Sequence, residues 1–501
     1  MGGFRFFWPR GGVFWNHIHA LDSPFQIVDH ASRAWGLQVC HLCPFPHGGC
    51  LAFPPTGRLQ RDLDGDPVFA RDIPARIAAA LALRLLHPGL SPIAPMVSPR
   101  LDSAPRFLLY SHDSFGLGHL RRTLTLCEGL RERFPEAELL CVTGSPCSSL
   151  FPLPKGVDLV KLPSVTKDER GHYIPRTLGS SFRRLLKLRE GLLLEAYRAF
   201  RPHLVIVDSK VIGLEGEALS LLEATRTDGV RTVLGIRDII DEPAVVGGEW
   251  SDDKSRWALS EGYDRVCVYG TPGVFDVRSE YPIPAELAPR VEYTGYVVRE
   301  RNIAHHQSVP SMLPQVLVTM GGGEDGEQRI GNYLACLELS RAPWRTVLIG
   351  GPLLDDSSAR RLRRRARMIG NVDVRRFYAD LTRLLSECSA VVSMGGYNTC
   401  GEVLQSQKPW VILPRTQPRM EQALRAERMS ALGLASYLID PRPGELRRAV
   451  ANALDRGSMP AGRIPSLDGV ARVCTIVAEM LEVSPLLPRP ADEVPTQKTV
   501  S

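Results

Sequence analysis

One turn of this chain has the composition of a phosphate cradle. Ser393-Met394-Gly395-Gly396-Tyr397-Asn398-Thr399-Cys400-Gly401-Glu402 follows the apolar run Ala390-Val391-Val392 and leads into an amphipathic segment. A buried strand, a glycine turn and a helix start present backbone N–H groups to an anion. Glu402 stands six residues past Gly396, about one and a half helical turns in, where a carboxylate accepts hydrogen bonds from ribose hydroxyls. Glu421 and Gln422 follow a second apolar run, Trp410-Val411-Ile412-Leu413-Pro414. That order predicts a nucleotide-sugar site.

Two further loops have the same logic. Phe107–Tyr110 runs into Ser111-His112-Asp113-Ser114-Phe115-Gly116-Leu117-Gly118-His119-Leu120-Arg121-Arg122. Gly116 and Gly118 let the backbone turn tightly and approach a ligand, and His119 falls at the helix start. The positive end of a helix favours a neutral imidazole, and a neutral histidine facing a cleft is a competent general base. A capping role for His119 with solvated arginines behind it is the alternative. Val316–Met320 runs into Gly321-Gly322-Gly323-Glu324-Asp325-Gly326, a second predicted phosphate loop. Glu324 and Asp325 count against that reading if they point inwards, because unpaired carboxylates repel a diphosphate.

The elements that must hold these loops are legible in the pattern. From Phe107 onward, short continuously apolar runs alternate with helical stretches, as strands buried on both faces require. The runs are Phe107–Tyr110, Leu139–Val142, Leu204–Val207, Thr232–Ile236 and Arg265–Tyr269, then Val316–Met320, Thr346–Ile349, Val372–Val374, Val391-Val392, Val411–Leu413 and Tyr437–Ile439. Leu120, Leu124, Cys127, Leu130 and Phe134 share one helical face. The expected fold is α/β: two doubly wound Rossmann-like domains facing one another across a cleft, with ligands at the carboxyl ends of the strands. Expected boundaries are 104–295 and 296–483, with a polar linker near Arg299–Pro314. A helix at about Leu467–Leu481 is expected to return to the first domain. Asp208 and Arg237-Asp238, at strand ends, are expected to face the cleft and reach the acceptor.

Residues 1–103 differ: they are rich in Gly, Pro, Trp and Phe, have no lysine and show no sustained periodicity. They read as a poorly folded segment or, with Met96 just before the first strand, as an upstream extension of the reading frame. The proline-rich stretch 484–501 reads as a disordered tail.

With 501 residues, 44% hydrophobic and 23% charged, the chain is an ordinary globular protein with room for more than one core. A net charge of +6 permits an anionic substrate or an acidic membrane surface without demanding either. No nucleic-acid motif is present, so no nucleic-acid partner is expected. The cysteines are scattered singly in apolar runs, the pattern of reduced thiols in a cytoplasmic protein. The exception is Cys40, Cys43, His47 and Cys50, whose spacing matches no zinc module. No apolar run is long enough to span a bilayer.

Taken in order, the glycine loop at His119, Thr294-Gly295-Tyr296-Val297-Val298-Arg299, Gly321-Gly322-Gly323, Gly396-x-x-Thr399-x-x-Glu402 and Glu421-Gln422 resemble one family. They are similar to the GT-B glycosyltransferases of the type that makes lipid II in peptidoglycan synthesis, and to their galactolipid-synthase relatives. The resemblance spans about residues 105–480. It implies that Gly321, Gly322, Gly323, Gly395, Gly396, Asn398 and Thr399 surround the donor diphosphate, with Arg299 also facing phosphate. It implies that Phe377 and Tyr378, before Asp380, hold the base, that Glu402 binds ribose, and that Glu421 and Gln422 bind the donor sugar. His119 would deprotonate the acceptor hydroxyl. No metal and no cofactor are implied.

The family usually has Gly-Gly-Ser after the first donor-domain strand and Gln-Gln where this chain has Glu421-Gln422, which leaves the sugar open. Gly116 through Arg122 is also similar to the nucleotide-sugar hydrolases of pseudaminic acid synthesis, where water replaces the acceptor. A non-catalytic nucleotide-sugar binder is the remaining reading.

The other polar clusters have plainer readings. Ser251-Asp252-Asp253 is expected to be a solvated loop, and the arginines of 360–367 a solvated helix face. Phe182–Arg189 with Leu192-Leu193-Leu194 is cationic and amphipathic. It is read as a core helix with a basic outer face, or as an interfacial helix giving peripheral contact with the inner face of the membrane.

Overall fold

The computed structural model describes residues 38–40, 50–52, 104–112, 118–168, 172–299, 313–321, 326–378 and 381–482. Gly116, Gly322, Gly323, Glu324, Asp325, Asp380, Cys43, His47 and most of the expected linker, extension and tail lie outside them. The chain divides into two compact units, Met1–Val97 and Ser98–Ser501. In the first, β1 (Gln38–Cys40) and β2 (Cys50–Ala52) pair antiparallel, with Cys40 opposite Cys50.

The second unit contains two all-parallel sheets. One has the order β11-β10-β9-β8-β3-β4-β5. Its strands are β3 (Arg106–Ser111), β4 (Glu138–Thr143), β5 (Val157–Lys161), β8 (Leu204–Asp208), β9 (Arg231–Arg237), β10 (Arg265–Tyr269) and β11 (Val291–Tyr293). A short antiparallel hairpin, β6 (Val165–Lys167) with β7 (Tyr173–Pro175), branches from it in sequence. The other sheet has the order β14-β13-β12-β15-β16-β17. Its strands are β12 (Gln315–Thr319), β13 (Arg345–Ile349), β14 (Val372–Arg375), β15 (Ala390–Ser393), β16 (Trp410–Ile412) and β17 (Ser436–Tyr437).

Every apolar run picked from the pattern is a strand, within one to three residues at each end. Four strands of this unit escape it. Val157–Lys161 and Val291–Tyr293 alternate polar with apolar residues at the two sheet edges, where one side meets solvent. The β6–β7 hairpin is short and outside both sheets.

In both sheets the winding reverses beside the first strand, between β3 and β8 in one and between β12 and β15 in the other. Ligands of doubly wound sheets bind at such reversals, where neighbouring connections leave to opposite faces and open a crevice. The loop before His119 leaves β3, the Gly321 loop leaves β12, and the Gly395-Gly396 turn leaves β15.

Helix Gly118–Arg133 buries Leu120, Leu124, Cys127 and Leu130 against the first sheet, and Phe107 meets Phe134 edge-on at 5.4 Å. The carboxyl-terminal helix Gly469–Glu482 packs on that same helix, so the chain returns to its first sheet as the pattern predicts. Arg472 of this helix pairs with Glu292 at 2.6 Å. The eight cysteines among the residues described with side chains are buried, packing as small hydrophobes.

Asp252 caps helix Asp253–Trp257, accepting from the N–H groups of Lys254 and Ser255. Helix Asp356–Ile369 buries Leu362 and Ala366, and its outer arginines pair with carboxylates, Arg361 with Glu327 and Arg365 with Glu338. In helix Phe182–Phe200 one residue departs from the expected basic outer face. Arg189 is turned inwards and fully buried, paired with Glu217 at 2.6 Å, while Leu188 and Leu192 are exposed. Among the described residues no helix is long and apolar enough to cross a membrane.

Candidate active site

His119 is the second residue of its helix, and its position is fixed from below. Nδ1 lies 2.7 Å from Asp208 Oδ2, at the carboxyl end of the neighbouring strand. Arg122, one turn along the helix, donates Nε to Asp208 Oδ1 at 2.9 Å and Nη2 to Oδ2 at 2.6 Å. Burial pushes the Asp208 carboxyl up, but Arg122 and His119 outweigh it and hold it well below the usual carboxylate range. A carboxylate only accepts, so Nδ1 of His119 faces Asp208 as the hydrogen-bearing nitrogen, although Arg122 Nη2 also stands 3.1 Å from it; in the neutral imidazole this tautomer leaves Nε2 as the acceptor. That is the arrangement of a general base with an orienting acid group.

Asp208 therefore does not reach the acceptor as the sequence reading has it. It is 2% exposed and fully occupied with His119 and Arg122. Asp238 is corrected in the same way. It is completely buried, where it receives Arg425 at 2.7 and 2.9 Å and the Tyr296 hydroxyl at 2.7 Å.

Beside His119 stands His112, the residue after β3, with ring centroids 4.8 Å apart. His112 is 5% exposed and its Nδ1 has no hydrogen-bond partner. Burial, with the nearby His119 and Lys210, holds it well below the usual imidazole range, so it stays neutral in the folded chain. The sign for stability follows: below about pH 6.5 the unfolded chain takes up a proton that the folded chain refuses. Stability is expected to fall by up to about 1.4 kcal/mol per pH unit from there downwards, and His112→Gln to flatten that slope. Parallel urea-unfolding profiles of the two proteins between pH 7 and 5 would overturn this.

The opposing wall comes from the second sheet. Gly395 has φ +76°, a left-handed conformation open to glycine, and a Cβ there would lie 2.9 Å from Ile412 Cγ2. Gly396 then caps helix Tyr397–Ser406, whose first-turn N–H groups have no partners within the helix. Thr399 lies in that turn, half-buried. Gly321 also has a left-handed φ, +68°, and nothing within 4 Å of where its Cβ would be.

Several predicted donor residues are also used between the two sheets. The Asn398 amide donates to the Gly118 carbonyl at 2.9 Å. Glu402 Oε1 is paired with Arg121, while its Oε2 is buried without a partner. Arg299 is exposed and paired with Glu128 of the His119 helix. Phe377 meets Phe151 edge-on at 6.1 Å, and Arg375 covers the Tyr378 ring. Tyr296 stacks on Tyr397 at 5.5 Å, whose hydroxyl receives the Val297 N–H at 2.9 Å. That motif ties the two halves together.

Glu421 and Gln422 open helix Glu421–Ala431. Glu421 Oε1 receives Arg415 at 2.7 Å, and its Oε2 is buried and unpartnered. Gln422 Oε1 accepts the Arg415 N–H at 3.1 Å, and its NH₂ makes no hydrogen bond with the described residues. The Glu402 carboxylate, the Glu421 carboxylate and His112 thus each keep one buried polar atom without a hydrogen-bond partner.

The fold comparison decides between architectures. A glycosyltransferase of kitacinnamycin superposes at TM-score 0.53 and 18% identity, over 76% of this chain and 99% of its own. The Medicago truncatula enzyme solved with UDP-glucose superposes at 0.51 and 11% identity, over 76% and 98%. The fold is GT-B. A UDP-glucosyltransferase from Polygonum tinctorium that glucosylates indoxyl also aligns over 78% of this chain and all of its own, at TM-score 0.50 and 16% identity. No protein-family model matches the sequence, and no curated protein matches it by sequence. The family resemblance implies that the His119 sheet is the acceptor-side half and the Gly395-Gly396 sheet the donor-side half.

Residues missed by the sequence reading are Arg122, Arg189, Arg419 and Arg425. Arginine in a helix reads as a solvated charge, and only the buried acidic partners reveal otherwise. The acid residues at strand ends were the available signal.

Proposed function

We propose that this protein transfers a hexose-type sugar from a nucleoside diphosphate donor, most simply a UDP-sugar, to an acceptor hydroxyl. The observation that carries the reading is His119, held in one tautomer by Asp208 at the winding reversal of the acceptor-side sheet. In this reading Nε2 takes the acceptor proton while the acceptor oxygen bonds to the anomeric carbon. The bond from that carbon to the diphosphate breaks, and direct attack inverts the centre. Charge growing on the leaving diphosphate is met by first-turn N–H groups of helix Tyr397–Ser406 and by its dipole. The free Oε2 of Glu402 supports ribose recognition, and the free groups of Glu421 and Gln422 support contact with the sugar.

The test is release of nucleoside diphosphate from a panel of UDP-, GDP- and dTDP-sugars, with and without a cell extract containing lipids and glycans. Release that requires the extract is the expected result. Equally fast release in buffer alone would replace transfer by hydrolysis.

A further inference from the structure

Among the described residues around the crevice, Arg237 stands apart from cations that are each paired with a carboxylate. Arg122 has Asp208, Arg425 has Asp238, Arg415 has Glu421, and Lys210 and Arg419 share Glu249, with Asp241 also on Arg419. Arg237 is the last residue of β9, at the carboxyl edge of the acceptor-side sheet and one residue before Asp238. It makes no hydrogen bond or ion pair with the described residues, and its Nε is buried without a partner.

The strongest carboxylate influence on it is Glu421 of the donor-side half, with the adjoining Asp238 a weaker one. Burial raises the Glu421 carboxyl, and Arg237 followed by Arg415 reverses that and holds it below its ordinary value. The two attract one another without bonding: Glu421 spends Oε1 on Arg415 and leaves Oε2 buried and empty. An unmatched guanidinium and an unmatched carboxylate oxygen, one from each half, are costly features in a partly desolvated crevice.

Resting on the nucleotide-sugar reading above, we propose that Arg237 and Glu421 together select a substrate sugar carrying an oxyanion next to a hydroxyl. A hexuronic acid has that pairing. The oxyanion accepts from the Arg237 guanidinium and supplies the bonded anionic partner it lacks, while the hydroxyl donates to Glu421 Oε2. A neutral sugar offers Arg237 only neutral acceptors, without a charge-assisted hydrogen bond. Arg237 comes from the acceptor-side sheet and Glu421 from the donor-side half, so the oxyanion belongs to the transferred sugar or to the acceptor sugar. Direct charge-assisted hydrogen bonds are the strong ones, which makes the selection measurable.

Equilibrium binding tests this without turnover. UDP, UDP-glucose and UDP-glucuronate are titrated into wild type, Arg237→Gln and Arg237→Lys. In a second arm, free glucuronate or free glucose is titrated into the UDP complex. In one arm the wild type is expected to prefer the anionic sugar by about tenfold or more, equivalent to about 1.4 kcal/mol. The preference disappears in Arg237→Gln and survives in part in Arg237→Lys, with UDP affinity unchanged in both. The arm that shows it identifies the source of the oxyanion.

Equal binding of charged and neutral sugars in both arms, or a preference that persists in Arg237→Gln, would overturn the proposal. Thermal unfolding separates a structural role: a ligand-binding Arg237 leaves the melting temperature of Arg237→Gln level or higher, and a markedly lower one also counts against it. Failure of wild type to bind UDP at all would instead remove the UDP-sugar reading on which the proposal stands.

Discussion

His119→Ala is expected to lower sugar transfer by about 10²–10⁴-fold, the usual contribution of a positioned general base, with nucleoside diphosphate affinity unchanged. The Asp208 carboxylate holds the partly exposed imidazole of His119, and Asp208 itself is 2% exposed and cannot take its place. Asp208→Asn is the companion experiment. An amide at this position can donate to Nδ1 and stabilise the opposite tautomer, with Nε2 protonated and unable to act as a base. Its loss is therefore expected mainly in kcat rather than KM. Asp208→Asn also strips Arg122 of its counter-charge, so a lower melting temperature accompanies it, whereas His119→Ala leaves the Asp208–Arg122 pair intact. Transfer that survives His119→Ala within a few-fold would remove the base from the mechanism.

The second large effect is on stability. Arg425 and Asp238 are both completely buried, joined by two short hydrogen bonds, and they come from opposite halves of the molecule. Removing either partner leaves an uncompensated buried charge. Arg425→Met and Asp238→Leu are each expected to cost about 3–5 kcal/mol, while the double variant recovers much of that loss. Recovery is incomplete because Asp238 also accepts from Tyr296 and because Arg425 donates to the Gly395 carbonyl at 3.0 Å. The second bond ties the pair to the glycine turn of the donor side. Urea unfolding of the four proteins checks the cycle; additive single effects would show that the two side chains do not act as a unit.

The core strands were readable because strands of a parallel sheet covered on both faces must be continuously apolar. Leu204–Val207 and Val316–Val318 have that composition. The polar-alternating edge strands Val157–Lys161 and Val291–Tyr293 lack the signal because one of their sides faces water. At the site, glycine loops after strands and the order His119, Gly396, Glu402, Glu421 were visible as spacing. Asp208 was visible as a strand-end carboxylate, but its partner was not.

By itself the sequence determined two doubly wound halves, their glycine loops and the histidine at the start of the first helix, since each follows from local composition. Tertiary structure alone decided what the charges do. It turned Asp208 inwards to orient His119, paired Arg425 with Asp238 and Arg121 with Glu402 across the halves, and left Arg237 without a bonded carboxylate among the described residues. Such partners stand from 89 to 281 residues apart in the chain. A charge is matched or unmatched only by what the fold places within a few ångströms of it, and no local pattern carries that information.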